Sequence, residues 1–288
     1  MDALNGITTK VFDVLLIPFE LLGMEWAMIL ISGIFGVLAL VVFKYISSQK
    51  GIKAAKDKIK GHMIAIRIYQ DDLVVVGKSI VKVLLRNAQY VSLNFAPFVP
   101  LAIPFVLVAA QMVVRYGFEP LPVVSAEEAQ SALANPKHML RVEFAAGQEA
   151  RADGLTIHYS EGLLATSKLV SLGSEGIARQ HFAAVEPGLH QIEFRFPDGT
   201  SYIKEVAAGD EAPRMMQPER VSGMFSALLW PAEDTFPSES PIASVTFHYP
   251  ESDLGWLPLS GPLGVLTAFV VASMLFAFAV IKPLGVQI

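Results

Sequence analysis

From residue 1 to residue 23, apolar positions recur at helical spacing. Ile7, Val11, Phe12, Leu15, Leu16 and Phe19 make one side, and Lys10, Asp13 and Glu20 lie on other faces. Pro18 is expected to kink or end this helix. The segment is too short and too charged to cross a bilayer, and it lacks the basic start and small-residue cleavage site of a signal peptide. Residues 1–23 therefore predict an amphipathic helix in a membrane interface, with a short helix packed on protein as the alternative. Three long apolar runs follow, at 24–46, 96–115 and 259–281, each long enough to predict a transmembrane helix. Trp26 and Tyr45 flank the first and Trp256 stands before the last, as interface aromatics do. Gly33 and Gly36 permit close helix contact. Pro97, Pro100 and Pro104 are expected to bend or open the first half of the second run. Gln111 lies deep within that run, where a polar side chain faces protein or water rather than lipid.

Residues 47–92, between the first two runs, divide into two amphipathic helical patterns. Ile52, Ala55, Ile59, Met63 and Ile66 form a stripe on the first. Leu73, Val76, Ile80, Val83, Leu84, Asn87 and Tyr90 do so on the second, and Asp71 and Asp72 supply its N-cap and first-turn acid. Two such helices joined by a short polar turn predict an antiparallel hairpin.

Residues 117–257 change character. SAEEAQSAL reads as a short helix, and MLRVEFAAG, LTIHYSEGL, SKLVSLG, HQIEFRF, TSYIKEVA and ASVTFHYP as short strands. The clearest hairpin joins HQIEFRF to TSYIKEVA through Asp198-Gly199. Short strands with turn signals predict a small all-β, sandwich-like domain. The Pro-, Glu- and Ser-rich stretch from Asp210 to Ser240, with its apolar island GMFSALLWP, reads as a lid-like excursion. The expected fold class is thus a membrane protein with three transmembrane α-helices, a cytoplasmic helical hairpin and a soluble β-domain.

Charge orients this arrangement. From Lys44 to Tyr90 there are ten Lys and Arg against three Asp, whereas Tyr116 to Leu257 holds twenty acids and nine bases. A basic loop between apolar runs stays cytoplasmic. The hairpin and carboxyl terminus are therefore placed inside, and the amino terminus and β-domain outside, in an inner (plasma) membrane. The hairpin's positive face fits anionic head groups, and a solvated connector is the plainer alternative. The acidity of the β-domain argues against DNA as a partner. The 288 residues contain no cysteine, which excludes disulfides and a thiolate nucleophile. No phosphate-binding loop, HExxH or GxSxG occurs, so no catalytic residue, enzyme activity or cofactor is expected. His158, His190 and His248 sit in separate strand-like runs, so no metal site is expected.

The run LLIPFELLGMEWAMILI, continued by KYISSQKGIKAAKDKIKGHM, resembles the opening of the YidC/Oxa/Alb membrane insertase superfamily. The resemblance covers about residues 1–115 and weakly the last run, and matches the three-span plan of the archaeal and endoplasmic-reticulum members. It implies a membrane protein insertase or membrane chaperone needing no nucleotide, in which a partly polar groove lowers the cost of moving a short polar segment across the bilayer. On that resemblance Ser32, Gly36, Asn94 and Gln111 would line the groove. Lys53, Lys56, Lys58, Lys60 and Arg67 of the hairpin would contact lipids, client or nascent membrane proteins, or the ribosome. Two departures stand out. Gly36 occupies the place of an Arg that bacterial members often carry in the groove wall, and a β-domain stands between the second and third spans. Three spans form only part of a groove, which implies other membrane subunits. A non-catalytic scaffold subunit, docking a partner through the β-domain, and a ligand sensor are the competing readings.

Overall fold

The computed structural model describes residues 2–130, 138–210, 215–223 and 226–286. The chain forms two compact units, one of residues 28–105 with 268–288 and one of residues 1–27 with 106–267. The stretches Met24–Ile46, Leu73–Tyr116 and Gly261–Leu284 are helical, long and apolar enough to cross a membrane.

In the first unit α2 (Met24–Ile46) packs against α7 (Gly261–Leu284) through small residues. A Cβ on Gly36 would run into the backbone carbonyl of Ser273, and one on Gly33 into the ring of Phe276. Glycine at position 36 lets the helices approach backbone to backbone, and at position 33 it makes room for the Phe276 ring. Phe35, Phe105 and Phe269 interlock, with the Phe105 and Phe269 ring centres 5.2 Å apart. Lys44 in the last turn of α2 donates to the Leu284 carbonyl at 2.7 Å, satisfying one of the carbonyls left open at the end of α7.

The hairpin consists of α3 (Gln49–Ile68) and α4 (Leu73–Phe95). Asp72 caps α4, its Oδ1 accepting from Val74 N at 2.9 Å and Val75 N at 3.1 Å. On α3 the expected inward stripe holds at Ile52 and Ala55, which are buried, whereas Met63 is exposed. On α4 the inward face is Val76, Ser79, Val83 and Tyr90, and Leu73, Ile80 and Leu84 point outward. Apolar residues lie on more than one side of this helix, with Val74, Val81 and Leu85 exposed as well, so periodicity alone did not say which side meets α3. Ala96 and Pro97 separate α4 from α5 (Phe98–Tyr116), which continues through Pro104 as helix.

In the second unit α1 (Asp2–Glu20) buries Phe12 and Leu16 and exposes Ile7, Val11, Val14, Leu15 and Ile17. It is packed on protein along one side and keeps a second apolar face open. Pro18 lies within its last turn and the helix ends two residues later.

The β-domain has two antiparallel sheets. The larger has the order β3-β5-β1-β9-β8, with β4 also on β5, built from β1 (His138–Phe144), β3 (Leu163–Ala165), β4 (Val170–Leu172), β5 (Ile177–Ala184), β8 (Glu219–Val221) and β9 (Ile242–Thr246). The smaller is β2 (Thr156–Tyr159), β6 (Gly188–Arg195) and β7 (Ser201–Ala208). Leu140, Val142, Phe182 and Val245 from one sheet and Ile192, Phe194 and Val206 from the other form a single apolar core. The predicted β6–β7 hairpin is present, with Arg195 opposite Ser201 and Gly199 at φ 84° in the turn. Asp198 Oδ1 accepts from Thr200 N and Oγ1 there.

Three strands lie outside the predicted set. The most consequential is β5, IARQHFAA, which pairs with β1, β3 and β4. Its alanines, Arg and Gln are poor strand formers, and burial between neighbours overrides that. The short helix α6 (Ala126–Gln130) starts in a Ser125/Glu128 capping box. Its predicted continuation over residues 131–133 lies outside the described residues. The 210–240 excursion differs from a lid, because β8 adds to the larger sheet and Trp230 Nε1 donates to Glu219 Oε2 at 3.1 Å. Residues 211–214 and 224–225 of that stretch also lie outside the described residues.

Candidate functional site

The α3–α4 hairpin gathers the largest group of candidate contact residues. Lys53, Lys58, Lys60 and Arg67 are exposed. Lys56 is half-buried, its Nζ 5.8 Å from the centre of the Tyr90 ring across the hairpin. Beside this basic side α4 carries an open apolar stripe, Leu73, Ile80, Leu84, Val91 and Phe95, with Leu84 63% exposed. Its alternating spacing of seven and four residues keeps it on one side of the helix. Beyond Pro97 it is followed on α5 by exposed Phe98, Val99 and Ile103. Basic charge next to unburied apolar surface suits a partner that is apolar and anionic, or an apolar segment presented near anionic lipid.

The four residues expected to line a polar groove are placed differently. Ser32 is fully buried, and its hydroxyl donates back to the Met28 carbonyl at 2.6 Å. Gly36 is closed off by Ser273. Gln111 is fully buried in the second unit, donating to Thr9 Oγ1 of α1 at 2.9 Å and accepting from Arg115 Nε at 3.3 Å. Each of these three polar or small groups is met by a neighbour within its own unit. Asn94 differs. Its Nδ2 donates to the Tyr90 carbonyl at 2.8 Å, while its Oδ1 is buried without a hydrogen-bond partner among the described residues. An unmet acceptor where the hairpin joins α5 is the one polar feature of the expected lining that still calls for water or a ligand.

Gln111 is consequently expected to resist modification. A cysteine at position 111 should stay unlabelled by a small polar maleimide in intact membranes, and Gln111→Leu should cost about 1–3 kcal/mol by stranding Thr9 and Arg115. Alkylation of position 111 as fast as at exposed Gln70 would show that water reaches it.

Charged pairs that the sequence did not announce lie in the second unit. Arg115, at the end of α5, is buried and forms an ion pair with half-exposed Asp13 of α1 at 2.7 Å. Lys204 on β7 is 0% exposed and donates to the Glu233 carboxylate, to Gln217 O at 2.7 Å and to Glu205 O at 3.0 Å. All three ammonium protons are thus used. Burial is the largest influence on this pair, pushing Lys204 down and Glu233 up from their ordinary values, and mutual attraction opposes both shifts. Gln217 Oε1 accepts from Ala232 N and Glu233 N, and Met216 N donates to Val114 O. These bonds staple the 215–240 stretch to β7 and to α5. The available signal for Lys204 was its strand parity with Tyr202 and Val206, both of which face the core.

His158 and His190 lie on β2 and β6, and His248 follows the end of β9. His158 lies opposite Glu193, and His190 Nε2 meets the Glu186 carbonyl at 2.8 Å. Among the described residues no group of three or more His, Asp or Glu is placed to hold a metal ion. Comparison of the chain with protein-family models, with curated proteins and with solved structures gives no match.

Proposed function

We propose that the chain is a multi-pass membrane protein acting as an insertase or membrane chaperone of the YidC/Oxa type. It receives apolar client segments on the cytoplasmic hairpin and passes them to lipid along α4 and the first half of α5. The observation that carries this reading is the open apolar stripe of α4, flanked by lysines and followed by the exposed apolar residues of α5. An apolar client helix gains free energy by leaving water for this stripe and then for lipid, so no nucleotide is required. The basic side holds the hairpin at anionic head groups and keeps it, with the carboxyl terminus, in the cytoplasm. The β-domain and amino terminus are extracytoplasmic. The unmet Asn94 acceptor lies where a client's polar flank would pass.

A second reading, a scaffold subunit of a larger membrane complex, draws on a separate observation. The contact of Gly36 with Ser273 and the burial of Gln111 leave little room for a groove at those positions.

Reconstitution separates the two. The full chain in liposomes should speed insertion of a client with one short translocated segment, and a photocrosslinking amino acid at Leu84 or Phe98 should capture that client where one at Leu189 does not. Insertion no faster than into protein-free liposomes, with no client adduct at position 84, rejects the insertase reading.

A further inference from the structure

Helix α1 is turned inside out relative to a helix that meets water. Its polar side chains Asn5, Thr9 and Asp13 recur every fourth residue on one side, and all are bonded to protein. Asn5 Nδ2 donates to Ala227 O at 2.9 Å, Thr9 Oγ1 accepts from Gln111 Nε2 at 2.9 Å, and Asp13 Oδ1 accepts from Arg115 Nη2 at 2.7 Å. Phe12 and Leu16 complete this inner side. The outer side is Ile7, Val11, Val14 and Leu15, all exposed, within roughly 100° of the circumference. Leu21 and Leu22, also exposed, continue the apolar run past the end of the helix. A helix surrounded by water shows its polar stripe and buries its apolar one. The chain then turns at Gly23 into α2. Trp26, in the first turn of α2, packs on Trp256 with ring centres 5.7 Å apart, and both rings are exposed.

We infer that the outer side of α1 and the Trp26–Trp256 pair form one lipid-contacting surface, which seats the β-domain on the extracytoplasmic leaflet. Continuity of the chain identifies the occupant. Within a few residues α1 leads into α2 and Trp256 into α7, and both of those helices are long and apolar enough to cross a membrane. Tryptophans at the ends of such helices sit at the level of the head groups. Lys10 is exposed at the edge of the outer side, where its stem lies along apolar surface and its ammonium reaches a lipid phosphate. On the inner side, the bonds of Asn5, Thr9 and Asp13 carry the attachment to Ala227 and to α5, within the unit that holds the β-domain. The surface rests on the membrane placement proposed above and not on insertase activity.

The chain has no cysteine, so single cysteines report without background. The test places spin labels at Val11→Cys and Val14→Cys in the full chain in liposomes, and compares their relaxation by oxygen and by a neutral nickel chelate. Oxygen should be favoured at least about fivefold at both positions, because it partitions into hydrocarbon and the chelate into water. Val170→Cys on β4, exposed in the same unit, should show the reverse. Leu38→Cys, exposed on α2, separates this inference from the membrane placement. Lipid contact at 38 with water contact at 11 and 14 overturns the inference and leaves the placement standing. Water contact at all three overturns both. Exclusion of both reagents from 11 and 14 marks a protein partner or a second copy on this side, and also overturns the inference. In the unmodified chain, lipid brominated near its glycerol end should quench tryptophan fluorescence about twofold more than lipid brominated near the chain end. Equal quenching at the two depths overturns the inference, and this measurement decides if the cysteine variants do not fold.

Discussion

Replacing Lys204 by alanine is expected to destabilise the β-domain by about 3–5 kcal/mol, the usual cost of leaving one half of a buried ion pair alone. The Glu233 carboxylate would lose its charge partner, and the Gln217 and Glu205 carbonyls would lose their donor. Because Gln217 and Glu233 belong to the stapled 215–240 stretch, that stretch should loosen first. Pulse proteolysis of the full chain in detergent should show new cleavage between residues 215 and 236 at lower denaturant. The double change Lys204→Met with Glu233→Leu should recover most of the loss, since an apolar pair of similar volume carries no desolvation penalty. If Lys204→Ala unfolds at the same denaturant concentration as the parent, the pair does not hold the stretch, and the staple must be sought in Gln217 and Trp230.

The second large effect concerns the hairpin. Changing Lys53, Lys58, Lys60 and Arg67 together to Gln should weaken its attraction to an anionic surface by about 4 kcal/mol at low salt, at about 1 kcal/mol for each charge near the membrane. All four are exposed, so the hairpin should keep its helicity. Client insertion should fall accordingly, and the gap between variant and parent should narrow as salt shortens the range of the interaction. Flotation of the full chain, held in nanodiscs of phosphatidylcholine, with vesicles rich in phosphatidylglycerol checks the lipid part directly. A variant that inserts clients at the parental rate in low salt would reduce the hairpin to a connector.

Features governed by neighbours in sequence were legible before any coordinates. The three apolar helices follow from run length, the hairpin from spacing and from Asp72 at the head of α4, and β6–β7 from alternation closed by Asp198-Gly199. Each depends on a local rule, the reach of an apolar helix, the preference of an Asp side chain for free N–H groups, or the positive φ that glycine permits. Features depending on a distant partner were not legible. Alternation in TSYIKEVA put Tyr202, Lys204 and Val206 on one face, but parity does not say which face is inward, and packing chose the one that buries a lysine. The sequence marked Gln111 as polar in an apolar run and left protein or water open. Thr9, about a hundred positions earlier, settled it. Gly36 looked like groove or contact alike until Ser273 came to lie against it. By itself, then, the sequence determined which segments are helices and hairpins, because those form from contacts within a turn or two. Only the tertiary structure decided which polar groups are satisfied and which, as at Asn94, remain open, because that depends on what is brought close from far along the chain.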